Sequence, residues 1–245
     1  MTEPVRLAQR VAQLLDCSRN EAEHYIRNGR VSVDGRIVEL PQHRVADERI
    51  EIETGAPPGE VEPATILLNK PAGFDAIEGA RPALALVTPE SRWADDPSGV
   101  RLLQRHFHRL VPLVPLERDA SGLMVLTQDR RVRRRLVEDA DDIEHEYLVE
   151  VDGEMAPDGL ARLRDGLPHR GGLLPRCSAS WQSENRLRFA IKGVRDGQLQ
   201  WMCAQVGLRA VSIRRLRIGR IATGKGPNGA MPPGAWRYLP VGERF

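Results

Sequence analysis

The sequence predicts an α+β protein: a small helical N-terminal domain, then a larger domain with a mixed or antiparallel sheet and flanking helices. Three observations carry this. Two short segments with helical apolar spacing precede a hairpin within the first 53 residues. A turn-rich run, Thr54-Gly55-Ala56-Pro57-Pro58-Gly59-Glu60, then breaks the pattern as a linker does. Beyond it, short apolar or alternating segments outnumber helical ones, which favours a sheet over a bundle. The expected boundaries are 1–53, a linker over 54–63, and a second domain over 64–245.

Each element has its own signal. Leu7, Val11, Leu14 and Leu15 predict a helix from Val5 to Leu15. Ser18 and Glu21 stand three residues apart ahead of Ala22, Tyr25 and Ile26, the pattern of a reciprocal cap opening a second helix. Gly29 is suited to end that helix. In Val31-Ser32-Val33-Asp34-Gly35-Arg36-Ile37-Val38 the Asp-Gly pair suits a tight hairpin turn, and Ile50-Glu51-Ile52 alternates as a closing strand. In the second domain, strands are expected at Ile66-Leu67-Leu68, Leu123-Met124-Val125-Leu126, Tyr147-Leu148-Val149-Glu150-Val151, Leu187-Arg188-Phe189-Ala190-Ile191 and Ala210 to Ile221. Leu199 to Val206 reads as a helix that stops at Gly207.

Composition narrows the function. Hydrophobic residues make up 41% and charged residues 29% of the 245, enough for a buried core. No apolar run approaches the ~20 residues that span a bilayer. The N-terminal residues lack the basic start and apolar stretch of a signal peptide. Cys17, Cys177 and Cys203 are odd in number and far apart, with no metal or disulfide spacing, so a reducing cytoplasm and no structural metal are expected. The net charge is only +2, yet Arg186 to Phe245 holds twelve Lys or Arg against Asp196 and Glu243. Arg130-Arg131-Val132-Arg133-Arg134-Arg135 adds a basic run. Segregated positive charge points to a polyanion partner. In the N-terminal domain, Arg6, Arg10, Arg19, Arg27 and Arg30 are spaced to set several guanidiniums around two helices, and the planar guanidinium suits phosphate.

Two resemblances sharpen this reading. The segments Val5-Arg6-Leu7, Ser18-Arg19-Asn20-Glu21-Ala22 and Ile26-Arg27-Asn28-Gly29-Arg30-Val31-Ser32-Val33-Asp34-Gly35 resemble the S4 RNA-binding domain, a small αL-like fold. Residues 64 to 243 resemble the RsuA/RluB/RluE/RluF branch of pseudouridine synthases. That likeness rests on Leu68-Asn69-Lys70-Pro71-Ala72-Gly73, on Leu116-Glu117-Arg118-Asp119-Ala120-Ser121-Gly122-Leu123, on Ile143-Glu144-His145-Glu146-Tyr147, and on Arg217-Ile218-Gly219 with Gly234-Ala235-Trp236-Arg237.

The second resemblance implies isomerisation of uridine to pseudouridine in structured RNA without a cofactor. Ribosomal RNA is the expected partner ahead of transfer RNA, and the protein is expected to be a monomer. In the family an Asp attacks the nucleotide, a Tyr packs on the base and a basic group partners the Asp. Those roles fall on Glu117, on Tyr147 and, as a replacement for lost arginines, on Arg195; Asp119 is a second candidate nucleophile. The chain departs from the family pattern elsewhere too: Pro115 replaces an Arg, His145 a Lys, and Gly197-Gln198-Leu199-Gln200-Trp201-Met202 an arginine-rich run. Trp201 either stacks on a flipped base or fills the core. The expected RNA contacts are Arg6, Arg10, Ser18, Arg19, Arg27, Arg30, Lys70, Arg118, Gln198 and Arg217. Glu117 in place of Asp leaves two readings: a pseudouridine synthase, or a catalytically impaired RNA-binding or ribosome-assembly protein on the same fold.

Overall fold

The structure, a computed structural model, describes residues 3–55, 58–169 and 172–245. Ala56 and Pro57 of the expected linker, and Met1 and Thr2, lie outside the described residues. The chain divides into two compact units: Met1–Pro63 with Arg101–His108, and Ala64–Val100 with Arg109–Phe245.

In the first unit α1 spans Leu7–Leu15 and α2 Arg19–Arg27. Helix α1 starts two residues later than its periodicity predicts. Val5 and Arg6 are extended and pair antiparallel with Val45 and Arg44, and the Leu7 N–H donates to the His43 carbonyl at 2.7 Å. The reciprocal cap on α2 is present: the Glu21 N–H donates to Ser18 Oγ at 3.2 Å and the Ser18 N–H to Glu21 Oε2 at 2.9 Å. Its end is a Schellman motif, with Arg30 N–H on the Tyr25 carbonyl and Gly29 N–H on the Ile26 carbonyl, each at 3.0 Å. The left-handed φ of +67° at Gly29 makes that turn possible. Strands β1 (Val31–Val33), β2 (Arg36–Ile37) and β3 (Ile50–Ile52) form a small antiparallel sheet in the order β2-β1-β3. Leu7, Val11, Ala22, Tyr25, Ile26 and Val31 fill its core.

Arg101–His108 completes this unit from far along the chain. Arg101 Nη1 donates to the Gly29 carbonyl at 2.7 Å, and its Nη2 donates to both Glu53 carboxylate oxygens at 2.7 and 2.9 Å. Leu103 is 3% exposed, and a Cβ added at Gly29 would stand 2.8 Å from it. The Gln104 N–H donates to Glu39 at 2.9 Å.

The second unit is built on a nine-stranded sheet. Its elements are β4 (Thr65–Lys70), β5 (Val111–Leu113), β6 (Ser121–Thr127), α3 (Arg130–Glu138), β7 (Glu144–Gly153), α4 (Gly159–Asp165), β8 (Ser178–Ser183), β9 (Arg186–Lys192), α5 (Gln198–Ala204), β10 (Leu208–Ile218) and β11 (Trp236–Tyr238). The main path runs β8-β9-β7-β10-β6-β4-β11, with β5 beside β6. Only β10 and β6 pair parallel, so the sheet is mixed. Strand β10 begins two residues earlier than expected and stops at Ile218, because Gly219 turns with φ +55° before Ile221–Ala222 pairs back.

Strand register fixes the neighbours of two central residues. Tyr147 on β7 lies opposite Phe189 on one side and Arg215 on the other, and Arg215 also lies opposite Gly122. The main core, under β7 and β9, holds Val149, Leu187, Phe189, Leu199, Met202 and Val206. Among the described residues no helix is long and apolar enough to cross a membrane.

Candidate active site

A cavity of about 330 Å³ opens between the loop ahead of β6, the start of β7, the end of α3 and the N-terminal end of α5. That volume is at the lower end for small-ligand sites, the size of a single nucleoside. Its walls are mostly apolar, from Val114, Leu116, Leu136, Val194, Leu199 and Ile213. Its polar groups come from Glu117, His145, Tyr147, Arg195, Gln200 and Arg215.

Glu117 is held from two directions. Its Oε1 accepts the Gly197 N–H at 2.6 Å, and its Oε2 accepts the Gln200 side-chain amide. Gly197 is the N-cap of α5 and Gln200 lies in its first turn, so this helix end aims a backbone N–H and a side-chain N–H at one carboxylate. Such charge-assisted bonds fix a carboxylate more firmly than neutral ones. The other amide atom, Gln200 Oε1, is buried without a hydrogen-bond partner among the described residues.

Tyr147 is 4% exposed, so one part of its ring belongs to the core and another to the cavity wall. Its hydroxyl lies 3.4 Å from His145 Nδ1. Burial, with Arg215 and Arg217 nearby, pushes the His145 imidazole down to about 3, so it is neutral at ordinary pH. Arg215 is fully enclosed and donates to the carbonyls of Leu123 at 2.8 Å and Val114 at 2.5 Å. Sequence reasoning passes over Arg215 for Arg217; the one signal that marks it is its place opposite Tyr147, which needs the register.

Of the predicted catalytic residues, the structure brings Glu117, Tyr147 and Arg195 to one cavity. Arg195 is exposed at its rim. Asp119, the second candidate, does not line it: the turn closed by the Ala120 N–H on the Glu117 carbonyl at 3.1 Å leaves Asp119 exposed. Trp201 also stays out of the cavity: it packs against the main core, 4.4 Å from the His169 ring.

The predicted RNA contacts stand in different surroundings, some buried and some exposed. Lys70 is fully buried, its ammonium donating to the carbonyls of Pro71, Phe74 and Arg118 at 3.2, 2.7 and 3.1 Å. Burial pulls its pKa down to about 8 against the pull of Asp75 and Asp119. Its role is to staple the Glu117 loop to the turn after β4. Gln198 is buried, accepting from the Arg195 N–H at 3.1 Å. Arg217 is taken up by Glu144 at 2.7 Å and Glu146 at 3.1 Å. The Ser18 hydroxyl is spent on Glu21. Arg19 and Arg27 both lie on Glu23, at 3.3 and 2.7 Å, though exposed. Arg30 is half-buried beside Gly55. Arg118 is exposed and 3.7 Å from Asp75. Arg6 and Arg10 are exposed, with no ion pair among the described residues.

Comparison with known proteins agrees with this architecture. The S4 domain model matches residues 5–49. Ribosomal small subunit pseudouridine synthase A of Salmonella typhimurium is 28% identical, covering 96% of this chain and 96% of its own length. An uncharacterized RNA pseudouridine synthase of Aquifex aeolicus is 27% identical over 96% and 92%. Over nearly its whole length the chain is thus similar to RNA pseudouridine synthases, and its N-terminal residues match the S4 domain. The dual-specificity RNA pseudouridine synthase RluF of Escherichia coli is 24% identical, matched over 96% of this chain and 75% of its own. A pseudouridylate synthase crystal structure superposes with a TM-score of 0.60 at 20% identity, over 96% of both chains, and shares the fold. The cavity therefore lies in a pseudouridine-synthase fold whose companion is an S4 domain.

Proposed function

We propose that this protein is an RNA pseudouridine synthase that isomerises uridine in structured ribosomal RNA, with Glu117 as its nucleophile. The observation that carries the reading is the carboxylate of Glu117, hydrogen-bonded at both oxygens and set at a nucleoside-sized cavity that Tyr147 lines. The names of the homologues support the same chemistry.

The target uridine leaves its stack and enters the cavity, at a cost of a few kcal/mol. Tyr147 packs against the base, and the apolar walls keep water from the reacting carbons. The Glu117 carboxylate attacks the nucleotide, the bond between N1 and the sugar breaks, and the base rotates. A carbon–carbon bond then forms at C5, the C5 proton leaves, N1 gains a proton and the carboxylate is released. Reactant and product are isomers, so the atoms balance without a co-reactant. Exposed Arg195 at the rim grips the adjoining phosphate. The S4 unit supplies sequence-independent phosphate contacts through Arg6 and Arg10. We place the protein in the cytoplasm, in keeping with its three free thiols, and expect it to act as a monomer.

The test is chemical mapping of pseudouridine in ribosomal RNA from a strain lacking the gene, after incubation with purified protein. The wild type is expected to introduce a pseudouridine, and Glu117→Gln to abolish it while RNA affinity persists. If the wild type modifies nothing yet binds RNA in a salt-dependent way, the protein is a non-catalytic RNA binder.

A further inference from the structure

Val114 is the one residue of the Glu117 loop with a left-handed backbone, at φ +49°. A β-branched residue rarely adopts that region. The next residue is Pro115, which biases Val114 toward extended geometry instead. Two local preferences are thus overridden three residues before the reacting carboxylate, and strain of this kind persists only where the surroundings impose it.

The Val114 carbonyl is held by Arg215. Its Nη2 donates to the Val114 carbonyl at 2.5 Å and its Nε to the Leu123 carbonyl at 2.8 Å. One planar fork therefore ties the loop to the interior of β6. The approach is close: a Cβ at Gly122 would collide with the Arg215 backbone, so glycine is required there. No carboxylate among the described residues forms an ion pair with this buried guanidinium. An unpaired buried charge is unfavourable for stability. Its partners are instead neutral: the Val114 and Leu123 carbonyls and the Tyr147 hydroxyl. Arg215 also lies opposite Tyr147 in register, so the same residue abuts both walls of the cavity.

We infer that Arg215 is a positioning residue: its fork holds Val114 left-handed and so sets the reach of Glu117 toward α5. This rests on the reading of Glu117 as the nucleophile, but the loop geometry can be tested separately.

The experiment compares Arg215→Met, which keeps the volume and removes the fork, with the same change combined with Val114→Gly or Val114→Ala. Glycine adopts positive φ without strain; alanine deletes the same side chain and keeps the strain. Two readouts are followed: hydrogen exchange of the Gly197 amide, which reports its bond to Glu117, and kcat and KM on ribosomal RNA. Arg215→Met is expected to speed Gly197 exchange at least about tenfold while β4 and β6 stay protected. It should lower kcat ~10²-fold with KM unchanged. Val114→Gly should restore both in the Arg215→Met background, and Val114→Ala neither. Should Arg215→Met not fold, Arg215→Lys serves in its place. Unchanged Gly197 exchange, or equal rescue by alanine, overturns the inference. Exchange behaving as expected in a protein without turnover leaves the clamp standing and removes the synthase reading.

Discussion

At the scale of single residues, burial decides which protons the cavity keeps. His145 is 8% exposed and its pKa is pushed down from 6.5 to about 3, first by desolvation and then by Arg215 and Arg217. The folded chain keeps this ring neutral, whereas the unfolded chain protonates it below about 6.5. Its contribution to stability is complete above pH 6.5 and is lost as pH falls toward 3. His145→Gln should therefore flatten the stability profile in that window by up to about 1.4 kcal/mol per pH unit. Urea denaturation at several pH values between 4 and 7 measures this, and superimposable slopes for the two proteins would refute it. Part of this site is legible in the amino-acid sequence itself. Glu117 and Tyr147 stand within short motifs whose order along the chain carries meaning. Arg215 is not legible there, because one more arginine in a basic segment has no mark until strand pairing sets it against Tyr147 and Gly122. Lys70 misleads for the same reason: a lysine beside a glycine turn reads as a surface cation, and only the three convergent carbonyls show it to be a staple.

At the scale of elements, local chemistry is the better guide. The reciprocal cap on α2, the Gly29 stop and the Asp34-Gly35 turn each depend on residues within a few positions, and each forms as the sequence suggests. The start of α1 is shifted by a partner about 40 residues away, the Arg44–Val45 segment, which no local pattern reveals. The segment Arg101–His108 is the larger case. Leu103 packs on Gly29 in the N-terminal unit, although the chain has by then passed through β4. Leu103→Ala should cost about 2–3 kcal/mol of local stability, since a buried Leu→Ala change costs roughly that or more. Hydrogen exchange should show it as lost protection in β1 and β3 with β6 and β7 unchanged. Protection lost from β6 and β7 instead would contradict the assignment of this segment.

At the scale of the whole molecule, net charge is a poor index of where a polyanion binds. The chain carries +2 overall, and its densest basic run forms α3. Three arginines there are engaged locally: Arg131 by Asp129, Arg134 by Glu138 and Arg135 by Asp139. Exposed pairs of this kind add little stability, but they lower the outward field of the run. Arg6 and Arg10 are less conspicuous in the sequence and more available. Changing both to Ala should weaken ribosomal RNA binding and reduce the salt dependence of log Kd by about 1–2 in slope. Fluorescence titrations at several KCl concentrations measure the slope; an unchanged slope would mean that α1 faces no phosphate. The same scale shows why Arg101–His108 matters beyond stability. A protein whose leading unit ended at residue 63 could exchange it by recombination at a single joint, as a cassette. Here the strand of polypeptide departs at residue 63, returns at 101 and departs again after 108. A graft of the first 63 residues alone would leave its eight-residue strap behind in the donor, so a working transplant would have to carry both stretches.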